Sequence, residues 1–262
     1  MLRVDNVSFS YDGAQARLVL ERVSFDVRAR TIVGLLGPNG SGKTTLLRLM
    51  SGTLSALEGR VTIDGADAAK LPRRDLARQI ALVPQDTQTT FDFTVLDMVL
   101  MGRYPHLGTF ELEDTRDLAI ARDALAAVGT GALQSRQFGT LSGGEKQRVV
   151  IAAALAQAAN ALLLDEPTAS LDLRYQIEIG GLLTRLNRER GTTMVLSTHD
   201  LNLAAALCSE LVLLREGHVV ASGPVGEVLT PANIRAVYDV EADIEFHPRA
   251  GRMMVVPIAR TE

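Results

Sequence analysis

Five short runs of the chain carry apolar residues without polar alternation: Ile32 to Leu36, Ile80 to Val83, Ala161 to Leu164, Met194 to Leu196 and Leu211 to Leu214. Strands that read this way are covered on both faces, as in a parallel sheet. The first quarter reads differently. Leu2 to Phe9, Leu18 to Val27 and the alternating Val61-Thr62-Ile63-Asp64 before Gly65 predict antiparallel strands joined by turns. Between Asp86 and Ala159 the pattern turns helical, most clearly over Glu111 to Val128. From about Tyr238 onward, two strand-like runs flank Pro248-Arg249-Ala250-Gly251. The pattern predicts an α/β fold with a mainly parallel sheet, an antiparallel β edge and an inserted helical subdomain. On this reading residues 1–85 and 160–237 form the core, 86–159 the helical subdomain and 238–262 a C-terminal extension.

Composition narrows the setting. A chain of 262 residues that is 47% hydrophobic can fill one large domain or two small ones. The single cysteine, Cys208, has no partner for an intrachain disulfide, which fits a reducing compartment. The first residues, Met1 to Gly13, hold no apolar signal core. The longest apolar stretch, Val149 to Leu164, is broken by Gln157 and Asn160 and falls short of the ~20 residues that span a bilayer. A net charge of -4 and the absence of Trp argue against nucleic acid as the main partner.

Three motifs carry the chemistry. Gly37-Pro38-Asn39-Gly40-Ser41-Gly42-Lys43-Thr44 follows an apolar run and precedes Leu46-Leu47-Arg48-Leu49, the strand, loop and helix order of a phosphate-binding loop. Its glycines allow backbone N–H groups to surround phosphates, Lys43 adds charge, the Thr44 hydroxyl can ligate Mg²⁺, and Thr45 can donate one further hydrogen bond. Asp165 and Glu166 end an apolar strand, so Asp165 can hold the metal and Glu166 can polarise an attacking water. His199 ends a second such strand and can donate to the γ-phosphate. Leu141-Ser142-Gly143-Gly144-Glu145 opens an apolar helix, and its small residues are expected to leave N–H groups and the Ser142 hydroxyl free for another phosphate.

Together these residues resemble the nucleotide-binding subunits of ATP-binding cassette (ABC) transporters. The loop at Gly37 to Thr44 is similar to Walker A, Leu141 to Glu145 to the signature motif, and Ala161 to Glu166 to Walker B with its catalytic glutamate. Ser170-Leu171-Asp172 is similar to the D-loop, and His199 to the switch histidine. The resemblance implies a P-loop NTPase core, ATP hydrolysis with Mg²⁺, an adenine-stacking role for Tyr11, and a metal- and γ-phosphate-sensing role for Gln85. It implies Ser142, Gly143, Gly144 and Asp172 as nucleotide contacts across a head-to-tail homodimer. A single subunit cannot enclose the phosphates from both sides, and excluding water strengthens the electrostatics on the transferring group.

The segment Phe91 to Gly108, with Gly102, Arg103, Pro105 and His106, resembles the importers of cobalamin, haem and ferric siderophores. That likeness implies two membrane permease subunits, a substrate-binding protein working with them, and a peripheral position on the cytoplasmic face of the membrane. It also implies that this segment, Arg103 included, receives the permease. The same motifs occur in other importers and exporters and in non-transport cassettes such as iron–sulfur assembly ATPases. Three positions depart from the family pattern: Arg30-Thr31 stands where a Gly turn is usual, Ala153 stands where Arg is frequent, and Gly180-Gly181 falls inside an expected helix.

Overall fold

The computed structural model describes residues 1–13, 17–85, 92–169 and 171–260. At its centre is a six-stranded sheet of β3 (Ile32–Leu36), β6 (Ile80–Val83), β7 (Ala161–Asp165), β8 (Thr193–Thr198), β9 (Glu210–Arg215) and β10 (His218–Pro224), in the order β10-β9-β3-β8-β7-β6. All neighbours run parallel except β10, which returns antiparallel along β9. Strand alternation divides the apolar residues between two cores. Leu162, Leu164, Met194, Leu196, Leu211 and Leu213 enter one core, while Ala161, Leu163, Val195, Val212 and Leu214 enter the other.

The second core is closed by the helix α1 (Lys43–Met50) and by an antiparallel sheet of β1 (Leu2–Phe9), β2 (Leu20–Val27), β4 (Glu58–Ile63) and β5 (Ala66–Asp67). The helix α2 (Arg73–Gln79) leads from that sheet into β6. Arg30, in the turn before β3, takes a left-handed φ of 63°, so arginine holds the conformation that a glycine would supply more cheaply.

The first core is closed by helices. α3 (Val95–Leu100), α4 (Thr115–Ala127) and α5 (Gly143–Ala156) pack on one another, with Phe138 fully buried. α4 begins four residues later than Glu111, where the charge pattern placed its start. The Asp114 carboxylate accepts from the backbone N–H groups of Arg116 and Asp117 and fixes the N-terminus there. The turn Met101–His106 is a short 3-10 helix lying on α5. A Cβ on Gly102 would stand 2.1 Å from the Ala153 carbonyl, so glycine permits that approach.

Arg103 is buried, which corrects the expectation that it belongs to a docking surface. Its Nε donates to Asp117 at 2.8 Å and its guanidinium donates to the Ala156 carbonyl at 2.7 Å, tying α4 to the end of α5.

The chain continues through α6 (Leu173–Arg190), α7 (Leu201–Leu207), α8 (Val225–Val228) and α9 (Pro231–Tyr238) to a hairpin of β11 (Val240–His247) and β12 (Arg252–Arg260). Gly180 faces α7, where an added Cβ would stand 3.3 Å from Leu207, whereas nothing in the structure explains Gly181. The hairpin adds Ala242 and Val255 to the first core.

Candidate functional site

A cleft of about 740 Å³ opens beyond the carboxyl ends of β3 and β7, the place where open α/β sheets bind ligands. Pro38, Asn39, Gly40 and Gly42 line it as the loop after β3, followed by Lys43, Thr44 and Thr45 from the first turn of α1. Among the described residues no side chain caps that helix, so its first N–H groups are left for a ligand at the positive end of the helix dipole. Gly37 and Ser41 are buried behind the loop. A Cβ on Gly37 would stand 2.2 Å from the Leu214 carbonyl, so no other residue fits there.

Lys43 Nζ donates to the carbonyls of Gly37 at 2.8 Å and Pro38 at 3.1 Å. Burial pulls its pKa below the ordinary lysine value, and the nearby Glu166 and Asp165 charges oppose that shift.

The carboxylates stand opposite the loop. Asp165 is buried at the end of β7 and accepts from Ser197 Oγ at 2.6 Å and from Thr44 Oγ1 at 3.2 Å. Glu166 follows with a left-handed φ of 46°, a strained conformation for a residue with a side chain. Its N–H donates to Ser197 Oγ at 3.0 Å and faces the Ser197 carbonyl at 3.2 Å. Ser197 therefore fixes both acids, although the sequence reading passed over it. A hydroxyl directly after the apolar run 194–196, two residues before His199, was the available signal.

Glu166 and His199 both line the cleft, with His199 Nδ1 3.3 Å from Glu166 Oε2, and Gln85 completes that wall. Tyr11 stands aside from the lining; its hydroxyl lies 3.0 Å from Thr45 Oγ1 and its ring meets Phe9 edge-on. Val19 and Tyr238, neither expected, also line the cleft.

The second glycine motif lies elsewhere, since Ser142, Gly143, Gly144 and Asp172 are absent from the lining. The Ser142 hydroxyl is not free. It donates to the Glu145 carboxylate at 2.8 Å and caps α5 by accepting from the Glu145 N–H at 3.4 Å. The Ser-x-x-Glu spacing carries that capping box in plain sight. Asp172 caps α6 by accepting from the Tyr175 N–H at 3.1 Å, and the Tyr175 ring presses on Gly144, where a Cβ would stand 2.3 Å from it. The two motifs thus form one packed unit. Ser170 and Asp86 lie outside the described residues.

Comparison with known proteins agrees with this geometry. The ABC transporter family model matches residues 20–169. The chain is 42% identical to the cobalamin import ATP-binding protein BtuD of Halobacterium salinarum over 92% of its own length, and it spans 60% of the length of that relative. It is 40% identical to the hemin import ATP-binding protein HmuV of Bordetella bronchiseptica, over 97% of this chain and 98% of that one. Among solved structures, a metal-chelate type ABC transporter in an inward-facing conformation superposes with a TM-score of 0.86 at 32% identity, covering 98% of this chain and 97% of that one.

Proposed function

This chain belongs to the ABC transporter family, and from that premise we propose that it is the ATP-hydrolysing subunit that powers import of a metal-chelate type substrate, such as cobalamin, haem or a ferric siderophore, through a separate membrane permease. The observation that carries the catalytic part is the placement of Glu166, fixed by Ser197 and beside His199, in the cleft that Lys43 also lines.

In this reading the loop N–H groups and Lys43 bind the β- and γ-phosphates of ATP, and Tyr11 stacks on adenine. Glu166 takes a proton from water as its oxygen attacks the γ-phosphorus; the bond to the bridging oxygen breaks, and ADP and inorganic phosphate leave. His199, whose Nδ1 lies 3.3 Å from Glu166 Oε2, donates its N–H to the γ-phosphate once nucleotide is bound. Thr44, Gln85 and Asp165 present an all-oxygen donor set that would hold Mg²⁺, and the bound metal would supply charge neutralisation to the phosphates. The 3.2 Å approach of Thr44 Oγ1 to Asp165 supports that fit.

One subunit covers the phosphates from one side, so hydrolysis needs a second copy whose Ser142, Gly143, Gly144 and Asp172 close the site. Exposed Leu173 and Ile177 beside that unit support such a contact. The permease consists of two membrane subunits served by a substrate-binding protein. Exposed Tyr104, Phe110 and Leu112 on the helical segment supply apolar surface for it. Among the described residues no helix is long and apolar enough to cross a membrane. The likeness to import ATP-binding proteins supports a peripheral place on the cytoplasmic face. The division into core (1–85 and 160–237), helical subdomain (86–159) and extension (238–262) belongs to the same proposal.

The test is phosphate release by the purified chain with Mg²⁺, alone and in liposomes with its permease. Mg²⁺-dependent turnover is expected to fall at least ~100-fold in Lys43→Ala, as when a transition-state charge donor is removed, and uptake to follow one of the three cargo types. Equal turnover in Lys43→Ala would remove the phosphate-loop assignment.

A further inference from the structure

Tyr238, the last residue of α9, lines the phosphate cleft although no sequence motif points to it. Its hydroxyl is buried and has no hydrogen-bond partner among the described residues, a state that calls for a physical reason. Burial pushes its pKa above the ordinary tyrosine value, so the group stays a neutral hydroxyl. The backbone amide of Gly37 faces the phenolic oxygen without reaching hydrogen-bond geometry.

Gly37 is the point at which the loop leaves β3, and it is confined from two other sides. Its carbonyl accepts from Lys43 Nζ at 2.8 Å, and the Leu214 carbonyl fills the space of a side chain. Tyr238 is mounted on the same strand end. The next residue, Asp239, accepts two bonds of 2.9 Å from the guanidinium of Arg215, which follows Leu214, and that guanidinium also donates to the Ala236 carbonyl at 2.5 Å. Beyond Asp239 the hairpin is held by Asn202, whose side chain donates to the Val255 carbonyl at 3.1 Å and accepts from its N–H at 2.8 Å. The phenol therefore stands at a fixed place against the root of the phosphate loop.

We infer that Tyr238 is a positioning residue for the phosphate loop, its hydroxyl engaging the Gly37 backbone when the loop holds a nucleoside triphosphate. Phosphates draw the Lys43 ammonium away from the carbonyls of Gly37 and Pro38, so the Gly37 carbonyl, on the peptide next to the N–H that faces Tyr238, loses a partner and the root of the loop readjusts. Tyr238 can then accept from the Gly37 N–H and hold the loop in its loaded form. This rests on the nucleotide-site reading above.

The experiment measures binding of Mg·ATP to the full chain by calorimetry, together with thermal unfolding with and without nucleotide. Tyr238→Phe keeps the ring and removes only the hydroxyl. It is expected to weaken Mg·ATP binding about fivefold, one hydrogen bond of ~1 kcal/mol, and to reduce the nucleotide-induced rise in Tm. The Tm without nucleotide is expected to stay level or rise, since an unpartnered hydroxyl is gone. Arg215→Ala, which leaves the phenol but frees its mount, is expected to weaken binding in the same direction. Wild-type affinity in Tyr238→Phe with an equal fall of Tm in both states would overturn the inference and leave the ring a packing group. Lys43→Ala is the control: loss of binding there keeps the nucleotide site secure whichever way Tyr238→Phe turns out, whereas wild-type binding there would overturn both readings.

Discussion

Removing the Arg103 guanidinium while keeping bulk, as Arg103→Met, strands two groups at once. The Asp117 carboxylate loses its 2.8 Å donor and keeps the Asp114 N–H at 3.3 Å, and the Ala156 carbonyl loses its 2.7 Å donor. Breaking a buried ion pair from one side costs about 3–5 kcal/mol. The Arg103 and Asp117 side chains retain 7% and 11% of their exposure, so water can reach Asp117 once the arginine is gone. A cost of about 2–3 kcal/mol follows from that discount.

The sign of the pH dependence is fixed. The Arg103 hydrogen bond, ahead of the other causes, holds Asp117 below its ordinary value of 3.8 in the folded protein. The stabilisation is therefore present above that value and is lost as pH falls through the folded one. Urea unfolding of wild type, Arg103→Met, Asp117→Ala and the double variant reads the coupling directly. The difference between wild type and Arg103→Met is expected to be full at pH 6–7 and to shrink as pH drops below about 4. A cost under about 0.5 kcal/mol, the ordinary scatter of surface substitutions, or one independent of pH, would refute the buried-pair argument. By the same reasoning, charge reversal at Arg103 is expected to unfold the helical segment rather than to uncouple a permease.

Two further outcomes test the site. Ser197→Ala deprives Asp165 of its shortest hydrogen bond and the Glu166 N–H of an acceptor, so phosphate release is expected to fall about 10–100-fold, the worth of one bond to a charged group; unchanged turnover would show that Ser197 does not set the acids. Ser142→Arg loses a helix cap worth about 0.5–2 kcal/mol, and is expected to retain ATP binding as a monomer yet block turnover. Mixed with Lys43→Ala it is expected to recover activity, because one shared site then carries both lesions and the other neither; a mixture as inactive as its parts would argue against shared sites.

The parts of the fold legible in the sequence were those where one physical cause dominates. β3, β7 and β8 read as strands because both faces are buried, so Ile32–Leu36, 161–164 and 194–196 run without a polar residue. The phosphate loop and the acid pair were legible because their chemistry is local. Contacts between segments far apart in the chain were not. Nothing around residue 103 announces that its charge is neutralised by Asp117 across a turn, so a buried ion pair read as surface. Tyr238 reaches the cleft only because α9 packs back over β9 and β10. The start of α4 was misplaced because the charges from Glu111 keep helical spacing, while the Asp114 side chain decides the end of the helix.

The central claim is that Glu166 activates water in a cleft that closes between two copies of the chain. Glu166→Gln keeps the shape and removes the base and one negative charge near the γ-phosphate. Light scattering on a size-exclusion column, with Mg²⁺ and ATP present and phosphate release followed in parallel, measures both halves of the claim. The account predicts hydrolysis lowered by at least ~100-fold, ATP retained, and a dimer that persists through the run. Turnover at the wild-type rate would contradict the assignment of Glu166, and a variant that stops hydrolysing but elutes as a monomer with bound ATP would contradict closure by the chain alone.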